Sequence, residues 1–512
     1  MLWKSPVFLL VAASAFAAPA LHHKALLNDL TDNRAVPVPR WAAGTSHYFA
    51  TLDHVPTPAD LARLRSLGMT PVGFIPDNAL VLAGPGNLDP SSLGLTRLRH
   101  FAPIEKISPA LAAPGADNEA EPGWFVIEFH PDVNPFVARA IAVQSGWLPR
   151  DHSNLLPNHV LVQGDPARLL SLAAWDEVAY IFPASHALVN GDPVYPCAGA
   201  DSQSGTAGQS IPLIGDGWDG PGLGSATLFY AFADSTGQLP ASEVANIVVS
   251  SFAQWSQYVQ VNFSAARNPE GLRTIGLLFA TGSHGDPYPF GPAGGILAHT
   301  FYPYPVNPEP IAGDMHFNNA NTWNTPSGID LFSVALHETG HALGLGHSDL
   351  TSAVMYPYYH KVAALTNEDG AAAQHLYASR GSAPPPTPTV TTGTSTTTPT
   401  NPSTGTPTNP TPANPTPGAK DTTPPTLRIS TPSSTNVSTS AHTIVFKGTA
   451  GDNVALASIV WGTSTGATGA AAGLSNWSTA PIPLYVGTNT VTIQATDTSG
   501  NAAWRTVIVT RH

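Results

Sequence analysis

Apolar and polar positions follow different periods in different parts of the chain, and these periods predict its elements. Near the N-terminus, Tyr48–Leu52 and Phe125–Phe129 are short apolar runs typical of strands. Each is followed by a stretch with the spacing of an amphipathic helix, Ala59–Leu67 in one case and Pro135–Ser145 in the other. The same strand and helix order thus occurs twice.

Two further segments indicate that this order is an internal repeat. Ile75–Gly84 resembles Leu156–Gly164, and the two begin 81 residues apart, at positions 75 and 156. A second helical stretch and a final strand follow each of them, the first of these strands being predicted over Arg97–Ile104. Each unit therefore has the order β-α-β-α-β of a small split α/β plait, at about 45–110 and about 122–190.

This pattern is similar to the paired plait-like propeptide domains that precede some secreted bacterial proteases. The resemblance implies that residues 21–200 are a propeptide-like region placed before a catalytic domain. From the residues alone, a substrate-binding or purely structural module stays open.

The first residues have a pattern of another kind. Lys4 is followed by an apolar run from Val7 to Ala13 and then by small residues with Ala-x-Ala steps. This is typical of a cleaved secretory signal, here residues 1–20, although an apolar N-terminal helix of the mature fold is the alternative. No later run approaches the roughly 18 apolar residues of a membrane span, so we expect no transmembrane segment and a secreted, extracellular protein.

The end of the chain divides into a linker and a β-rich region. Residues 383–423 are almost wholly Pro, Thr, Ser, Asn and Gly, which predicts an extended linker. Residues 424–512 alternate, as in Thr488–Ile493, with turn signals such as Ser499-Gly500-Asn501 between the runs, which predicts a β-sandwich. The region resembles bacterial immunoglobulin-like domains, which implies adhesion, contact with a cell surface or matrix, or spacing.

Composition narrows the chemistry. The chain has 512 residues, enough for several domains, and 42% of them are apolar, enough for packed cores. Its formal charge of −13 argues against nucleic acid as a partner. The one cysteine excludes an internal disulfide and a Cys-rich zinc module, so metal chemistry falls to the 19 histidines and the carboxylates.

One segment concentrates candidate ligands. His337 and His341 are four residues apart, so on a helix they project from one face and can share one ion. Glu338 is placed to reach a metal-bound water, and Gly344 allows a sharp turn that brings His347 round as a third ligand. Three histidines leave a position open for water, as catalytic zinc requires. The short His-Glu-x-x-His motif also arises by chance in amphipathic helices. The extended motif, His-Glu-x-x-His-x-x-Gly-x-x-His, is far more restrictive.

The extended motif, with Met355 eight residues after the third histidine, is the metzincin signature with its Met-turn. The segment resembles the matrixins, the matrix metalloproteinase family, through Ser348 and Val354–Tyr359. The resemblance covers about residues 218–380 and implies an α+β zinc peptidase domain, predicted over 201–382. It also implies that Met355 forms the floor beneath the zinc ligands and that Pro357 and Tyr359 line the pocket after the scissile bond. Taken without it, these positions are a turn with packed aromatic residues.

A second cluster matches the structural zinc site of that family. Its members are three histidines and one aspartate: His284, Asp286, His299 and His316. Such a set closes a tetrahedral shell without water, although four unrelated surface residues are the alternative. The strand near Ile296–Thr300 would then be the edge on which substrate pairs its backbone.

The sequence departs from the family where a calcium ion is usual. Gly291, Asn318 and Asn321 stand in place of acidic residues, so calcium is expected to be weakly bound or absent there. Asp314 is left as a candidate for a different calcium site.

The lone cysteine, Cys197, lies in Pro-Cys-Ala-Gly-Ala-Asp. Matrixin zymogens place a propeptide thiolate on the zinc through a Pro-Arg-Cys-Gly-x-Pro-Asp motif, from which this segment lacks the Arg. The resemblance implies a cysteine switch that displaces the catalytic water; an ordinary unpaired thiol is the alternative.

Together these features predict a secreted zinc endopeptidase, made as a zymogen and acting on protein or peptide substrates. A surface adhesin with a protease-like domain is the competing hypothesis. The intact Glu338 speaks against it, because a decayed site would tolerate loss of the base. Within the enzyme hypothesis, the C-terminal region could also direct the protease to its substrate or to a cell wall.

Overall fold

A computed structural model describes most of residues 45–381 and 421–512. The predicted signal peptide and nearly all of the predicted linker lie outside the described residues. So do these short segments and single positions: 76–77, 86–88, 113–118, 153, 193, 198–210, 212, 221, 325–327, 422 and 465–466.

The N-terminal region contains two four-stranded antiparallel sheets, here called the first and second plait units. The first is built from β1 (Ser46–Thr51), α1 (Pro58–Ser66), β2 (Thr70–Ile75), β3 (Ala79–Gly84), α2 (Pro90–Leu93) and β4 (Arg97–Arg99). The second is built from β5 (Ala120–Phe129), α3 (Pro135–Gln144), β6 (Leu148–Arg150), β7 (His159–Gln163), α4 (Leu169–Ala173) and β8 (Val178–Ser185), and a short helix, α5 (His186–Asn190), follows it. The strand orders, β2-β3-β1-β4 and β6-β7-β5-β8, are the same.

Matching local signals start and stop the long helix of each unit. Thr57 caps α1 and Asn134 caps α3, each accepting a hydrogen bond from a backbone N–H of the first turn. A proline follows each cap, where its fixed φ suits the first helical turn. Gly68 and Gly146, both at positive φ, turn the chain back toward the next strand.

The last strand of the first unit is shorter than expected. β4 ends at Arg99, whereas the sequence pattern extends to Ile104. A 3₁₀ helix occupies Pro103–Lys106 instead, and the Glu105 carboxylate caps it by accepting from the N–H of Ala102 at 2.7 Å. The same carboxylate pairs with Arg99 at 2.9 Å, so local capping outweighs the extended pattern.

The central region holds a five-stranded sheet in the order β10-β9-β11-β13-β12, in which only the edge strand β12 is antiparallel. Its elements are β9 (Ala226–Phe232), α6 (Ala241–Tyr258), β10 (Val261–Ala265), β11 (Thr274–Ala280), β12 (Ala298–Thr300), β13 (Met315–Asn318), α7 (Leu331–Leu343) and α8 (Asn367–Ala373). Helices α6 and α7 share one apolar core with the sheet. Trp255 of α6 is fully buried and donates its indole N–H to the carbonyl of Leu336 in α7 at 2.9 Å, which ties α7 to α6.

The C-terminal β region, residues 421–512, consists of strands. They are β14 (Thr426–Thr431), β15 (Asn436–Thr439), β16 (Thr443–Ile444), β17 (Lys447–Gly451), β18 (Leu456–Thr463), β19 (Thr468–Ala470), β20 (Asn476–Ser478), β21 (Ile482–Pro483), β22 (Gly487–Asp497) and β23 (Ala502–Arg511). They form sheets in the orders β14-β17-β20, β15-β23-β22-β18-β19 and β16-β21. Phe446, Trp477 and Ile493 belong to one apolar core that these sheets share.

Among the described residues, no helix has the length and apolar character needed to cross a membrane.

Candidate active site

Helix α7 carries the first two predicted ligands and ends where the third must return. Asp330 caps its start by accepting from the N–H of Ser333 at 2.9 Å. Gly344 ends it with φ of 101°, a left-handed conformation that favours glycine. The chain then turns, and His347 comes to lie beside His337 and His341, with ring centroids 5.3 and 4.8 Å away.

The orientation of these imidazoles points to a bound cation. Nδ1 of His337 lies 2.7 Å from the carbonyl of Val354, and Nδ1 of His341 lies 2.7 Å from that of Leu345. A carbonyl accepts only, so each Nδ1 carries the proton and each Nε2 presents a lone pair. The two Nε2 atoms are 3.0 Å apart, and two such lone pairs repel unless a metal ion lies between them.

Burial keeps these rings in the neutral form that binds metals. It lowers the pKa of His341 to about 4 and the pKa values of His337 and His347 well below the usual value. The donor set therefore fits zinc, which binds neutral imidazole.

Glu338 lies beside this group and is fully buried. One carboxylate oxygen accepts from the Thr300 hydroxyl of β12 at 2.7 Å, and the other lies 3.0 Å from the sulfur of Cys197. Burial raises the pKa of Glu338 to about 7, although both hydrogen bonds act in the opposite direction. Thr300 thus orients the carboxylate, a contact that the sequence did not indicate.

Cys197 is brought to the same point from the end of the N-terminal region. Its sulfur lies 3.6 Å from Nε2 of His341, and the candidate ligand atoms of Cys197 and the three histidines all lie within 4.8 Å of one another. Burial, and next the charge of Glu338, raise the pKa of the thiol well above its usual value in the absence of a metal.

Backbone hydrogen bonds hold the cysteine segment in the cleft. The N–H of Cys197 donates to the carbonyl of Pro357 at 3.1 Å, and the N–H of Tyr359 donates to the carbonyl of Tyr195 at 2.7 Å. On the other side, the N–H of Leu297, next to β12, donates to the carbonyl of Pro196 at 3.4 Å. The segment is thus paired on both sides.

Tyr359 and Tyr195 both line a cavity beside Glu338.

Met355 lies against α7, in a turn that Asp369 fixes. A Cβ at Gly340 of α7 would lie 2.3 Å from the sulfur of Met355, so helix and turn are in close contact. The buried carboxylate of Asp369 accepts from the N–H groups of Val354 at 3.0 Å and Met355 at 3.2 Å. The Thr366-x-x-Asp369 capping box of α8 was the sequence signal for this anchor.

The second predicted cluster also converges. One oxygen of Asp286 lies 3.0 Å from Nε2 of His284, 3.0 Å from Nε2 of His299 and 2.7 Å from Nδ1 of His316. Nδ1 of His284 faces the carbonyl of Gly282 at 2.8 Å, which leaves the lone pair of Nε2 for the centre. Three imidazoles and one carboxylate around a point fit a zinc ion.

Sequence comparison supports this geometry. The model of the Matrixin family matches residues 223–378, which include α7, the turn at Met355 and all four members of the second cluster. Residues 223–378 form a matrixin domain.

Relatives of the chain are matrixin proteases. It is 41% identical to karilysin of Tannerella forsythia over 171 residues, 32% of this chain and 36% of karilysin. It is 39% identical to matrilysin of Rattus norvegicus over 162 residues, 30% of this chain and 58% of matrilysin. Matrix metalloproteinase-20 of Homo sapiens is 42% identical over 134 residues, 26% of each chain. The chain thus spans between about a quarter and three fifths of the length of these relatives.

The matrixin domain fills the expected calcium position with amide groups. Nδ2 of Asn318 donates to the carbonyls of Gly291 at 3.2 Å and Ile296 at 2.9 Å. Oδ1 of Asn321 accepts from the N–H of Gly294 at 2.9 Å. The side-chain amide of Asn318 thus already donates to carbonyl oxygens that a calcium ion would need as ligands. This arrangement disfavours calcium binding. Nearby, Asp314 accepts from the N–H of Gly276 at 2.7 Å, and burial raises its pKa to about 8.

The second plait unit packs against the side of the matrixin domain that carries the turn at Met355. The hydroxyl of Tyr358 lies 2.9 Å from Nδ1 of His159, and the hydroxyl of Tyr180 donates to the buried Asp349 at 2.9 Å. Tyr356 and Tyr358 also share an apolar core with residues of that unit. These contacts join distant parts of the chain and had no local sequence signal.

Replacing Asp369 tests the anchor of the Met-turn. In Asp369→Ala, the buried N–H groups of Val354 and Met355 lose their acceptor, at roughly 1–3 kcal/mol for each unsatisfied group. We expect urea unfolding, followed by tryptophan fluorescence, to begin at a clearly lower concentration and peptidase activity to fall with it. Asn367→Ala, at an exposed position in the first turn of α8, is the control and should unfold like the wild type. Equal midpoints for both variants and the wild type would contradict the assignment.

Proposed function

We propose that the protein is a secreted zinc metalloendopeptidase that hydrolyses peptide bonds of extracellular proteins and is made as a zymogen. The observation that carries this proposal is the buried convergence of three imidazole rings with the Glu338 carboxylate. The matrixin match at residues 223–378 and the similarity to karilysin and matrilysin support it.

The catalytic metal would be held by His337, His341 and His347. A zinc ion bound there supplies a Lewis acid that polarises the scissile carbonyl and lowers the pKa of a water molecule. Glu338 is the general base: its carboxylate, held by Thr300, accepts the proton of the attacking water and passes it to the leaving amine. The oxygen that faces Cys197 becomes available for this task when the thiol leaves.

Substrate would bind as an extended strand between β12 and the segment that follows Met355. The hydrogen bonds that now hold Tyr195–Cys197 support this path, because they offer backbone donors and acceptors on both sides of the cleft. Pro357 and Tyr359 would line the pocket for the side chain after the scissile bond, and Met355 would serve as the apolar floor of the metal site.

The second cluster would hold a structural zinc ion. His284, Asp286, His299 and His316 provide four donors and leave no position for water, as structural sites require. Its place between β12, β13 and the loop before β12 would fix the substrate-binding edge. Calcium is not part of the proposal, because Asn318 and Asn321 satisfy the local carbonyl and N–H groups.

Latency would come from Cys197 as fourth ligand of the catalytic zinc. The deprotonated thiol would take the position of the attacking water, and the paired segment around it would exclude substrate. Residues 21–200, with their two plait units, would then act as the propeptide. A metal ion would reverse the effect of burial on the thiol, since a coordinated thiol is deprotonated.

The proposal also assigns a role to each of the remaining segments of the chain. Residues 1–20 would direct export, 383–423 would be a linker, and 424–512 would be an immunoglobulin-like β-sandwich that contacts a cell surface or matrix. The acidic net charge of −13 disfavours nucleic acid as a partner.

Removing the general base tests the catalytic assignment. Glu338→Ala should lower casein or gelatin cleavage by about 10²–10⁴-fold, the usual contribution of a general base, while zinc content stays that of the wild type. Glu243→Ala removes an exposed carboxylate on α6 and should leave activity unchanged. Cleavage by Glu338→Ala at the wild-type rate, or wild-type cleavage that survives a zinc chelator, would overturn the proposal.

Removing the thiol tests latency. Uncleaved Cys197→Ala should be at least roughly tenfold more active on a short peptide than the uncleaved wild type, as expected if a ligand contact of about 1.4 kcal/mol is lost. The double variant with Glu338→Ala should be inactive, which assigns the gained activity to this site. A Cys197→Ala protein as latent as the wild type would refute the cysteine switch.

A further inference from the structure

Helix α3 of the second plait unit is covered on two different faces. Val137 and Ile141 pack into the core of the unit itself. Phe136, Ala140 and Gln144 follow one another at four-residue intervals and therefore lie on another face. Ala140 is only 1% exposed and does not belong to the core of the unit, so something else covers it.

The C-terminal β region provides that cover. The ring of Phe136 meets Trp504 of β23 edge to face at 5.3 Å between centroids. A Cβ at Gly462 of β18 would lie 2.4 Å from Cγ of Phe136, so the strand backbone itself touches the ring. Gln144 donates to the hydroxyl of the buried Thr490 in β22. Strands β18, β22 and β23 thus form one surface against α3.

Charged groups surround this apolar contact. Arg139 pairs with Asp151 at 2.7 Å and lies over the ring of Trp504 at 5.6 Å. The other oxygen of Asp151 accepts from the N–H of Trp504 at 3.2 Å and faces Arg505 at 3.7 Å. An apolar centre with a polar rim is the usual composition of a specific protein interface.

The first plait unit offers a comparison within the same chain. Counted from the capping residues Thr57 and Asn134, Ala59 and Arg63 of α1 take the places of Phe136 and Ala140 in α3. Both α1 residues are exposed. The plait architecture therefore does not itself need an apolar outer face on this helix; the cover that α3 has and α1 lacks accounts for the difference.

The connecting segment does not impose this contact. Forty peptide units separate residues 381 and 421, enough to reach about 130 Å when extended. The C-terminal β region is therefore located by its contact with α3. The second plait unit is in turn held at a second place, through His159 and Tyr180 against the matrixin domain.

We propose that the C-terminal β region is a clamp for the propeptide: its β18–β22–β23 surface binds α3 and keeps the second plait unit on the protease. The proposal rests on the proposed function in one respect, that cleavage after Cys197 separates the propeptide from the matrixin domain. After such cleavage, the propeptide is bound by two surfaces of one chain. Its release is then slower than the cleft contact alone would allow, because the surface that stays bound keeps the other at a high effective concentration.

The experiment uses the full chain with Glu338→Ala, so that no self-cleavage occurs. The recognition sequence of a foreign protease is placed within residues 383–420 in one protein and within 198–210 in another. After the first is cut, gel filtration at micromolar concentration shows whether residues 421–512 stay with the rest. After the second is cut, the rate at which the propeptide leaves is measured.

Two variants target opposite sides of the contact. Ala140→Arg places the α1 residue in the covered position of α3, and Trp504→Ser shortens the partner on β23. Ala62→Arg, which adds the same charge on the exposed face of α1, is the matched control. Thermal unfolding checks that each variant folds; if Ala140→Arg does not, Trp504→Ser decides.

If the C-terminal β region is a clamp, its fragment should co-elute with the rest of the parent protein after the linker is cut. Ala140→Arg and Trp504→Ser should release it and speed propeptide departure by roughly tenfold or more, the effect of about 1.4 kcal/mol. Ala62→Arg should behave like the parent. Immediate separation in the parent, or release unaffected by both variants, would overturn the clamp. Lack of peptidase activity in the cleaved wild-type protein, which keeps Glu338, would overturn the proposed function without changing this result.

Discussion

The contact on which the rest of the site depends is that between the Nε2 atoms of His337 and His341, 3.0 Å apart. Their Nδ1–H groups donate to backbone carbonyls, so the lone pairs of the two Nε2 atoms face each other in the protein interior. A cation between them would turn this repulsion into coordination, and the turn at Gly344 brings His347 to where it could add a third donor. The turn at Met355, which Asp369 fixes, packs against α7 and so supports the helix that carries both histidines.

The parts of the site that local rules govern could be predicted from the sequence. The four-residue spacing of His337 and His341 and the left-handed stop at Gly344 both depend on neighbours in the chain. The contact between Thr300 and Glu338 escaped prediction because it joins residues from separate elements of the chain. The helix at Pro103–Lys106 was missed for a local reason: Glu105 caps it and outweighs the strand pattern of Arg97–Ile104.

The N-terminal region contacts the rest of the chain both inside the cleft and around it. Cys197 reaches His341, and the strand-like pairing of Tyr195 occupies the path that we propose for a substrate. Around the cleft, Tyr358 and Asp349 tie the second plait unit to the matrixin domain, and Trp504 ties it to the C-terminal β region. In the proposed zymogen, latency would therefore depend on all of these contacts together and not on the thiol alone.

The central claim, that the single thiol of the uncleaved protein binds the catalytic zinc, is tested most directly by X-ray absorption at the zinc edge. The chain has one cysteine, and the second cluster contains only nitrogen and oxygen donors, so a thiolate sulfur ligand identifies Cys197. The account predicts a sulfur shell at about 2.3 Å that disappears in Cys197→Ala. A shell of nitrogen and oxygen alone in the uncleaved wild-type protein would contradict it.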